Sequence, residues 1–535
     1  MDELHSLLGD APRRRDLLIE FLHRIQDAQG SIADAQIRAL AEELKLAPVE
    51  VYEVASFYHH FDLVREAAAG APPTTVRVCQ SLPCAMAGAR QLLESIAARE
   101  GLRVIAAPCV GRCAQAPVAV VGRNAIERAS ARKVEAALSN GKLEARVPAH
   151  IGYAQYRRSG GYARLAHILG DLARGETVIT TLEAAGLRGL GGAGFPAARK
   201  WRVVREQPQP RLLVVNIDEG EPGTFKDRHY LERDPHRAIE GALIAAASVG
   251  IAEIYIYLRD EYAGCRQLLE RELQRLAADP PCALPPIHLR RGAGAYICGE
   301  ESALIESLEG RRGLPRLRPP YVAQRGLFGR PTLVHNLETL YWLREILERG
   351  GDWWARLGRN GAAGKHSGLR SYSVSGRVRK PGVHLAAAGI SLRQLIDEHC
   401  GGMQRGHRLY AYLPGGASGG ILPATLADLP LASEALAPHG ASLGSAAIIV
   451  LSQADRARDA CANLMDFFAD ESCGQCTPCR VGTAKAAQLV RAPRWDQPLL
   501  TELSQAMMDA SICGLGQAAP NPLLSVMRHF RHEIE

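Results

Sequence analysis

The sequence predicts a multidomain α/β protein. Its 535 residues are enough for three or four domains of ordinary size. Apolar strand segments alternate with helical segments between residues 146 and 360, which is the pattern of a doubly wound sheet. Helical periodicity dominates both ends of the chain. We therefore expect several units in series, with the alternating region at the centre.

The periodicity of residues 14–66 predicts helices. In "RDLLIEFLHRIQ" the apolar positions fall on one helical face; they are Leu17, Leu18, Phe21, Leu22 and Ile25. Ser31 and Asp34 of "SIADAQIRALAEEL" have a spacing like that of a capping box, which predicts a helix start there. The stretch "AAAGAPPT" is then expected to be a linker.

A small α/β unit is expected next, ending near residue 145. Its strand, helix, strand and strand are predicted in "TVRVC", "AGARQLLESIAARE", "LRVIAAPC" and "APVAVVG". The central region has predicted strands in "RLLVVNID", "IYIYLRD" and "IHLRR", with helices in "AIEGALIAAASVG" and "CRQLLERELQRLA". Residues 366–452 indicate a small mixed α+β domain, with "LRSYSVSGRV", "LRQLIDEH" and "AAIIVLS". The chain from 455 onward is expected to be helical, with a break that bears glycine and cysteine.

Composition excludes several classes of protein. The net charge of +7 comes from scattered arginines, so nucleic-acid binding is not indicated. No apolar run approaches the roughly 18 residues of a membrane span. The first residues lack the apolar core of a secretory signal. We therefore expect a cytoplasmic protein, in which thirteen cysteines indicate metal or redox chemistry rather than disulfides.

The strongest local motif is "ESCGQCTPCR". It spaces Cys473, Cys476 and Cys479 as C-x2-C-x2-C, and Cys513 follows in "SICGLGQAAPNP". Three thiolates on a turn plus a distant fourth are the ligand set of a [4Fe–4S] cluster. Four thiolates also suit zinc, although structural zinc sites usually consist of two C-x2-C pairs. The motif favours the cluster over zinc.

A second cysteine set lies in the small α/β unit. Cys79 and Cys84 form one pair and Cys109 and Cys113 the other, and each pair follows a predicted strand. Four thiolates in two close pairs suit a [2Fe–2S] centre, and zinc is more credible here because it favours paired cysteines. The remaining cysteines have no metal spacing and are expected to be core thiols; they are Cys265, Cys282, Cys298, Cys400 and Cys461.

A glycine-rich loop, "GLRGLGGAGFPAARKW", contains Gly189, Gly191 and Gly194 as G-x-G-x-x-G. This spacing is common in dinucleotide-binding loops, but glycines also cluster in ordinary turns. A Rossmann loop requires a strand before it, whereas "TLEAAGL" predicts a short helix. The loop alone therefore does not identify a nucleotide.

Both cysteine sets, in their order around this loop, resemble a known family. Together with "NIDEGEPGTFKDR", "GAGAYICGEESALIESLEG" and "RPTLVHNLETL", they are similar to the flavoprotein of the NADH-dehydrogenase module of respiratory complex I, with its thioredoxin-like [2Fe–2S] partner fused at the N-terminus. The resemblance extends from about residue 14 to about residue 530. It implies a helical N-terminal region (1–70), a thioredoxin-like [2Fe–2S] domain (71–145), a Rossmann-like FMN- and NAD-binding domain (146–360), a small ubiquitin-like domain (361–453) and a helical [4Fe–4S] domain (454–535).

The same resemblance implies which residues bind FMN and NAD. The FMN residues would be Gly189, Gly191, Gly194, Lys200, Asn216, Asp218, Glu219, Tyr296, Gly299, Glu300, Asn336 and Thr339. The NAD residues would be Phe195, Glu221, Glu301, Arg318 and Tyr321. No side chain is implied as a catalytic acid, base or nucleophile, because the flavin exchanges the electrons. A carboxylate-rich wall disfavours a 2′-phosphate, so NAD is expected rather than NADP.

The sequence departs from the family at three positions. Val203 stands where the family often has an aromatic residue, Leu190 where it often has arginine, and His335 where it often has asparagine. We expect these changes to affect the details of NAD binding and not flavin binding.

Motif variants such as "YLPGGASGGILP" are most similar to the β subunit of NAD-dependent formate dehydrogenases. That likeness implies a molybdenum- or tungsten-pterin partner subunit with further iron–sulfur clusters. The alternatives are the diaphorase of an NAD(P)-linked hydrogenase or an NADH:quinone oxidoreductase module. A zinc-stabilised scaffold without flavin is the alternative outside the enzymes.

Overall fold

The structure, a computed structural model, describes residues 2–66, 74–97, 99, 101–169, 172–361 and 364–535. Its first region is helical, as predicted, with a parallel pair of two-residue strands. The elements are α1 (Asp2–Leu8), α2 (Leu18–Gln29), β1 (Ile32–Ala33), α3 (Asp34–Leu44), α4 (Pro48–Phe57) and β2 (Leu63–Val64). Helix α3 follows Ala33, whose N–H donates to Gln36 Oε1 at 2.7 Å, so the predicted cap at Ser31 is wrong. The predicted linker lies outside the described residues except for Thr74.

The second region is a four-stranded sheet in the order β4-β3-β5-β6. Strands β3 and β4 are parallel, and β5 and β6 add antiparallel to them. The elements are β3 (Thr74–Cys79), α5 (Leu82–Met86), α6 (Ala89–Ala97), β4 (Leu102–Ala107), β5 (Ala119–Val121), β6 (Asn124–Ile126) and α7 (Ala131–Ser139). The first three strands coincide with predicted ones. The three-residue β6 was not predicted, because it is too short to show an alternating pattern.

The central region contains a parallel four-stranded sheet in the order β10-β7-β8-β9. Its strands are β7 (Arg211–Ile217), β8 (Ile251–Leu258), β9 (Ile287–Arg291) and β10 (Thr332–Asn336). Its helices are α8 (Tyr153–Arg158), α9 (Ala163–Ile168), α10 (Leu172–Ala185), α11 (Ala197–Arg205), α12 (Lys226–Leu231), α13 (Pro235–Val249), α14 (Ala263–Ala278), α15 (Glu301–Leu308), α16 (Leu337–Tyr341), α17 (Leu343–Arg349) and α18 (Gly351–Arg356).

The two faces of this sheet contribute to different cores. Leu213 and Val215 of β7 pack in the core formed with the surrounding helices of the central region. Leu212 and Val214, which alternate with them, belong to a core that includes Phe21 of α2 and residues of the C-terminal helices. Because successive side chains of a strand point to opposite faces, one apolar strand joins both cores. The N-terminal helices therefore cover one face of the predicted doubly wound sheet.

A mixed five-stranded sheet follows, in the order β14-β13-β17-β15-β16. Its region comprises β11 (Asn360–Gly361), β12 (Gly364–Lys365), β13 (Leu369–Gly376), β14 (Gly382–Ala387), α19 (Leu392–Gln394), β15 (Leu409–Leu413), β16 (Leu422–Pro423), α20 (Ser433–Leu436) and β17 (Ala447–Ser452). The chain then continues as α21 (Ala457–Asp470), α22 (Thr477–Leu489), α23 (Gln497–Ala510), α24 (Gly514–Ala518) and α25 (Asn521–His529). The predicted multidomain α/β fold is confirmed. No helix in the described part of the chain is both long and apolar enough to cross a membrane.

Candidate functional site

A cavity of about 470 Å³ opens beside the carboxyl ends of β7 and β10. Three regions of the chain line it. The central region supplies most of the wall, the mixed sheet region adds Ser418 and Ser445, and the C-terminal helices add Phe468 and Leu515. Ligands of open α/β sheets bind at the carboxyl ends of the strands, and this volume lies in the range of small-molecule sites.

The glycine loop forms one edge of the cavity, between α10 and α11. Gly191 lines the cavity, and a Cβ added there would lie 2.9 Å from Asn336 Cβ, so only glycine fits. Gly189 and Gly194 are not among the lining residues. Gly189 donates its N–H to the carbonyl of Phe195 at 2.9 Å, and Gly194 has φ +63°. These two glycines shape the turn, and their direct contact with a ligand stays a prediction.

Thr339 holds the glycine loop in place instead of lining the cavity. Its Oγ1 accepts a hydrogen bond from Leu190 N at 2.9 Å, and the side chain is buried. Leu190, where the family often has arginine, is itself buried. The loop is therefore anchored to α16 by the backbone of a residue whose side chain packs in the core.

A group of polar residues at the end of β7 lines the inner wall. Asn216 Nδ2 donates to Gly299 O at 2.9 Å, and Asp218 N donates to Asn216 Oδ1 at 3.0 Å. Asp218 Oδ2 is buried and has no hydrogen-bond partner among the described residues. Burial raises the pKa of this carboxyl well above its usual range. An unsatisfied polar atom inside a cavity indicates a missing ligand group, and a flavin nucleotide offers both donors and acceptors.

Charged residues form the floor of the cavity. Lys226 is 1% exposed, and its ammonium lies 2.8 Å from Asp227 Oδ1 and 3.2 Å from Asn336 Oδ1. Burial opposes its charge, but Asp227 and Glu338 outweigh that effect and raise its pKa. Burial also opposes the charge of Glu219 and raises its pKa to about 7, although Glu219 accepts hydrogen bonds from two backbone N–H groups of α12. Neither Lys226 nor Asp227, which lie in "GTFKDR", was predicted to belong to the site.

Glu221 joins the central region to the mixed sheet region. Its Oε1 accepts from Ser418 N at 2.8 Å and from Ser418 Oγ at 2.9 Å, while the Tyr296 hydroxyl donates to Oε2. Tyr296 N in turn donates to Glu471 Oε2 at 2.9 Å. All four residues come from different elements. Ser418 was missed because no local signal in "GGASGG" connects it with Glu221.

Of the residues predicted to bind NAD, Glu221 lines the cavity; the other four are called the rim, and Arg318 links them to the cavity by pairing with its lining residue Glu300. Glu221 lines the cavity itself, whereas Phe195 and Tyr321 are 45% and 54% exposed. Arg318 pairs with Glu300 and lies 3.3 Å from Glu301, which also pairs with Lys200 at 3.0 Å. Lys200 is therefore placed beside the predicted NAD residues rather than among the lining residues near Gly191.

His335 and Val203, the two other positions at which the sequence departs from the family, do not line the cavity. His335 is buried on β10, where Trp201 Nε1 donates to its Nε2 at 2.7 Å. Burial lowers its pKa to about 3, so this histidine is neutral and acts as a core acceptor. Val203 lies on α11 and is 36% exposed.

The cysteines of the C-terminal region lie at the starts of helices beside the cavity. Cys476 directly precedes α22 and Cys513 directly precedes α24, whose Gly514 and Leu515 line the cavity. Cys479 lies in the first turn of α22, and Cys473 in the loop after α21. Burial raises the pKa of Cys479 and of Cys513 to about 11, and the neighbouring cysteines add to this. The four thiols thus form one electrostatic group.

The distances between these sulfur atoms bear on the choice between zinc and a [4Fe–4S] cluster. Among the described residues, no three cysteine sulfurs lie within 4.8 Å of one another. Four sulfurs on one zinc ion at about 2.3 Å would lie about 3.8 Å apart. A close sulfur triad around one zinc ion is therefore not seen in the described residues, and the [4Fe–4S] ligand set stays a prediction.

The cysteines of the small α/β unit are more deeply buried. Cys79, Cys84, Cys109 and Cys113 are each 1–3% exposed. Cys109 Sγ lies 3.4 Å from Cys113 Sγ, as two ligands of one iron would. Hydrogen bonds from the Cys113 and Cys79 thiols hold the pKa of Cys109 well below its usual range. The predicted pairing of the ligands fits two irons. None of the thirteen cysteines forms a disulfide in the structure.

Comparison with known proteins agrees with this arrangement. The chain matches an FMN-binding domain of the Nuo51 type over residues 182–345 and a thioredoxin-like [2Fe–2S] ferredoxin over 4–142. It also matches the iron–sulfur binding region of NADH-ubiquinone oxidoreductase-F over 459–535 and an SLBB domain over 371–422. These matches show FMN-, [2Fe–2S]- and [4Fe–4S]-binding domains.

Whole-protein relatives extend the comparison. An NADH-quinone oxidoreductase subunit of Rhizobium meliloti (strain 1021) is 38% identical over 394 residues, 71% of this chain and 92% of the relative. The mitochondrial NADH-ubiquinone oxidoreductase 51 kDa subunit of Neurospora crassa is 39% identical over 74% of this chain and 82% of its own length. Among solved structures, a chain of the NAD+-reducing [NiFe]-hydrogenase in the H2-reduced state superimposes with a TM-score of 0.85 at 32% identity, covering 98% of this chain and 94% of that one.

Fold, cavity, cysteine sets and relatives agree. The predicted FMN, [2Fe–2S] and [4Fe–4S] cofactors, with NADH as substrate, are confirmed at the level of the domains. The chain belongs to the family of FMN- and iron–sulfur-dependent NADH oxidoreductase subunits that includes the 51 kDa subunit of NADH-ubiquinone oxidoreductase.

Proposed function

We propose that this chain is the NAD(H)-exchanging diaphorase subunit of a multi-subunit oxidoreductase. The observation that carries the proposal is the position of the C-terminal cysteine set. Gly514 and Leu515, which immediately follow Cys513, line the same cavity as Asp218 and Tyr296. A cluster on those cysteines would therefore adjoin a ligand in the cavity, with no other domain between them.

The residues proposed to hold FMN would do so through complementary polar contacts. Gly191 would allow backbone approach, Asn216 and Asn336 offer amides, and Asp218 supplies the unsatisfied carboxyl. Lys226 adds a buried cation to the floor. Bound FMN would supply the conversion between two-electron exchange with nicotinamide and one-electron exchange with iron–sulfur clusters. The protein's own contribution is to position the reactants and to exclude water.

The rim is proposed to bind NAD rather than NADP. Phe195 and Tyr321 present exposed aromatic surfaces on which adenine can stack. Arg318 can meet a phosphate, but it is already paired with Glu300 and Glu301. A 2′-phosphate would add negative charge beside these carboxylates, which disfavours NADP.

The identity of the partner subunit has three candidates. A hydrogenase partner is supported by the likeness of almost the whole chain, including the fused N-terminal region, to a chain of the NAD+-reducing [NiFe]-hydrogenase. A formate-oxidising partner with a molybdenum- or tungsten-pterin and further iron–sulfur clusters is supported by the motif variants, such as "YLPGGASGGILP". An NADH:quinone module is supported by the relatives named above. A cytoplasmic location belongs to the proposal, since cysteines that act as cluster ligands have to stay reduced.

Anaerobic purification with the natural partner tests both the diaphorase role and the identity of the partner. NAD+ reduction would be assayed with hydrogen and with formate, and NADH oxidation with a quinone, alongside flavin and metal analysis. Hydrogen-dependent activity with nickel present would support the first candidate. Formate-dependent activity with molybdenum or tungsten would support the second, and quinone reduction alone the third. A preparation without flavin, with zinc in place of iron, would refute the diaphorase proposal itself.

A further inference from the structure

A second histidine-rich cluster lies where the N-terminal helices dock on the central sheet. It consists of His23 on α2, His60 just after α4, and Asp260 just after β8. One ring nitrogen of each histidine and one carboxylate oxygen of Asp260 lie within 4.8 Å of one another. His23 is only 2% exposed, and His60 and Asp260 are largely covered. Neither cysteine set nor the flavin cavity includes these residues.

Hydrogen bonding orients each imidazole and leaves one of its nitrogens unpaired. His23 Nε2 lies 2.9 Å from Gly292 O; a carbonyl only accepts, so Nε2 carries the proton and Nδ1 holds a lone pair. His60 Nδ1 lies 2.8 Å from Asp260 Oδ2. His23 Nδ1 and His60 Nε2 are both buried without a hydrogen-bond partner among the described residues. Two such atoms in one cluster are unusual in a folded protein.

This pattern matches the surroundings of metal-binding histidines. Such a histidine usually donates its second ring N–H to a backbone carbonyl or a carboxylate, which fixes the tautomer and the ring orientation. Gly292 O does this for His23, whereas Asp260 Oδ2 lies 2.8 Å from His60 Nδ1, close enough for these two atoms to bind the same ion. Zinc–nitrogen distances of about 2.0–2.1 Å place two tetrahedral ligands of one ion about 3.3–3.4 Å apart, so the three ligand atoms, which lie within 4.8 Å of one another, would move slightly closer around an ion.

The local charge can accommodate a cation. Arg291 is the arginine that contacts the cluster, and its Nε lies 2.5 Å from Asp260 Oδ1. Its guanidinium also pairs with Asp27, with Nη1 2.6 Å from Asp27 Oδ2. Asp27 is shared with Arg123, at 2.6 Å. Asp260 and Asp27 therefore balance Arg291 and Arg123, and Arg266 also interacts with Asp260, so the site depends on the lone pairs of its ligands and not on a net negative charge.

We propose that His23, His60 and Asp260 form a binding site for one divalent transition-metal ion of the zinc class, separate from both cysteine sets. Two imidazoles and one carboxylate are ligands that zinc accepts, and they leave one position of the tetrahedron for water. The ligands come from α2, from the segment after α4 and from the loop after β8. The ion would therefore tie the N-terminal helices to the sheet that carries the flavin cavity.

Zinc counting on the intact chain, with its flavin and clusters in place, tests the site. After growth with added zinc and removal of loosely bound metal, we expect about one zinc per chain. His23→Gln and His60→Gln should each lower that value to below about 0.2, with iron and flavin unchanged. His288→Gln is the matched control, because His288 is partly exposed and pairs with Glu253 at 2.8 Å. Zinc that persists in both cluster variants would overturn the proposal.

Zinc X-ray absorption on the unmodified protein provides a readout that does not depend on the variants folding. The proposal predicts nitrogen and oxygen ligands at about 2.0–2.2 Å with imidazole scattering. Sulfur ligands at about 2.3 Å would show that zinc occupies a cysteine set instead, and would overturn it. A chain that binds no zinc even when titrated with the ion would overturn it as well.

Discussion

The two cysteine sets lie near the 470 Å³ cavity, but they differ in burial and in how they contact it. The set of Cys79, Cys84, Cys109 and Cys113 is almost fully buried, whereas three cysteines of the C-terminal set are partly exposed. The buried set reaches the cavity through Arg259, which donates to Cys109 O and to Glu219 O. The C-terminal set adjoins it directly through Gly514 and Leu515. The difference shows that the first set also packs in a core, whereas the second is partly open to solvent.

Replacing one cysteine in each set should give the largest difference between the two sets. Cys476→Ser should remove about four irons per chain and lower electron transfer from NADH to the partner by at least about 100-fold. Cys84→Ser should remove about two irons and lower thermal stability more, because a hydroxyl is then buried in the core of the small unit. Iron analysis, partner-linked activity and thermal denaturation measure these effects.

Cys461→Ser is the matched control for both substitutions. Cys461 is a buried thiol in α21 with no role proposed in metal binding. Its substitution should leave the iron content unchanged. Loss of iron in this variant would mean that any buried cysteine change disturbs the clusters, and the contrast between the two sets would then have no support.

Asp218 should dominate flavin affinity. Asp218→Leu is expected to weaken FMN binding about 10- to 100-fold, since a hydrogen bond lost in a buried site costs about 1–3 kcal/mol. Asp218→Asn, which keeps polar atoms in place, should weaken it by less than about 10-fold. FMN fluorescence on dilution measures the dissociation constant. Asp428→Asn, which lies in an exposed pair with Arg393, should match the unmodified chain.

A substitution of Arg318 tests whether NADH binds at the rim independently of FMN at the inner wall. Arg318→Ala should raise KM for NADH about 5- to 30-fold, the effect of losing one charge-assisted contact. FMN content should stay unchanged, because the side chain lies at the open rim and not in the cavity lining. Steady-state kinetics with NADH and a dye acceptor separates KM from kcat. A loss of FMN in this variant would show that the rim and the inner wall are one site.

His335 should set part of the acid sensitivity of the core. Its pKa is lowered from about 6.5 in the unfolded chain to about 3 in the folded one. The unfolded chain therefore binds an extra proton below about pH 6.5, and folding stability falls as the pH falls from about 6.5 toward about 3. Between about pH 7 and about pH 5 the loss should be about 2 kcal/mol. His335→Asn, whose amide oxygen can still accept from Trp201, should abolish this part of the loss in urea unfolding.

Much of the architecture followed from local patterns. The strands β7, β8 and β9 were predicted because each is an apolar run bounded by turn residues. Strand β10 was not, because "TLVHN" is short and runs directly into α16. The cysteine sets were found from spacing and pairing, which are local. The sequence analysis missed Ser418, Lys226 and the cluster of His23, His60 and Asp260. Their partners are distant in the sequence, and no local motif predicts their burial.

The glycine loop shows where the family pattern and the geometry diverge. Gly189, Gly191 and Gly194 of this loop were assigned to FMN, and of these three Gly191 lines the cavity, next to Gly192, which was not assigned. Gly194, with φ +63°, is required by the turn itself, which no spacing rule distinguishes from a ligand contact. Lys200 was likewise assigned to FMN, and its ion pair with Glu301 became visible only in three dimensions.

The most direct test of the central claim is an anaerobic NADH titration of the intact chain, followed by absorption and electron paramagnetic resonance. NADH should bleach a bound flavin and produce the signal of a reduced [4Fe–4S] cluster. In Cys479→Ser the bleaching should persist and that signal should be absent. A chain whose flavin does not respond to NADH, or whose cysteines hold zinc, would contradict the account.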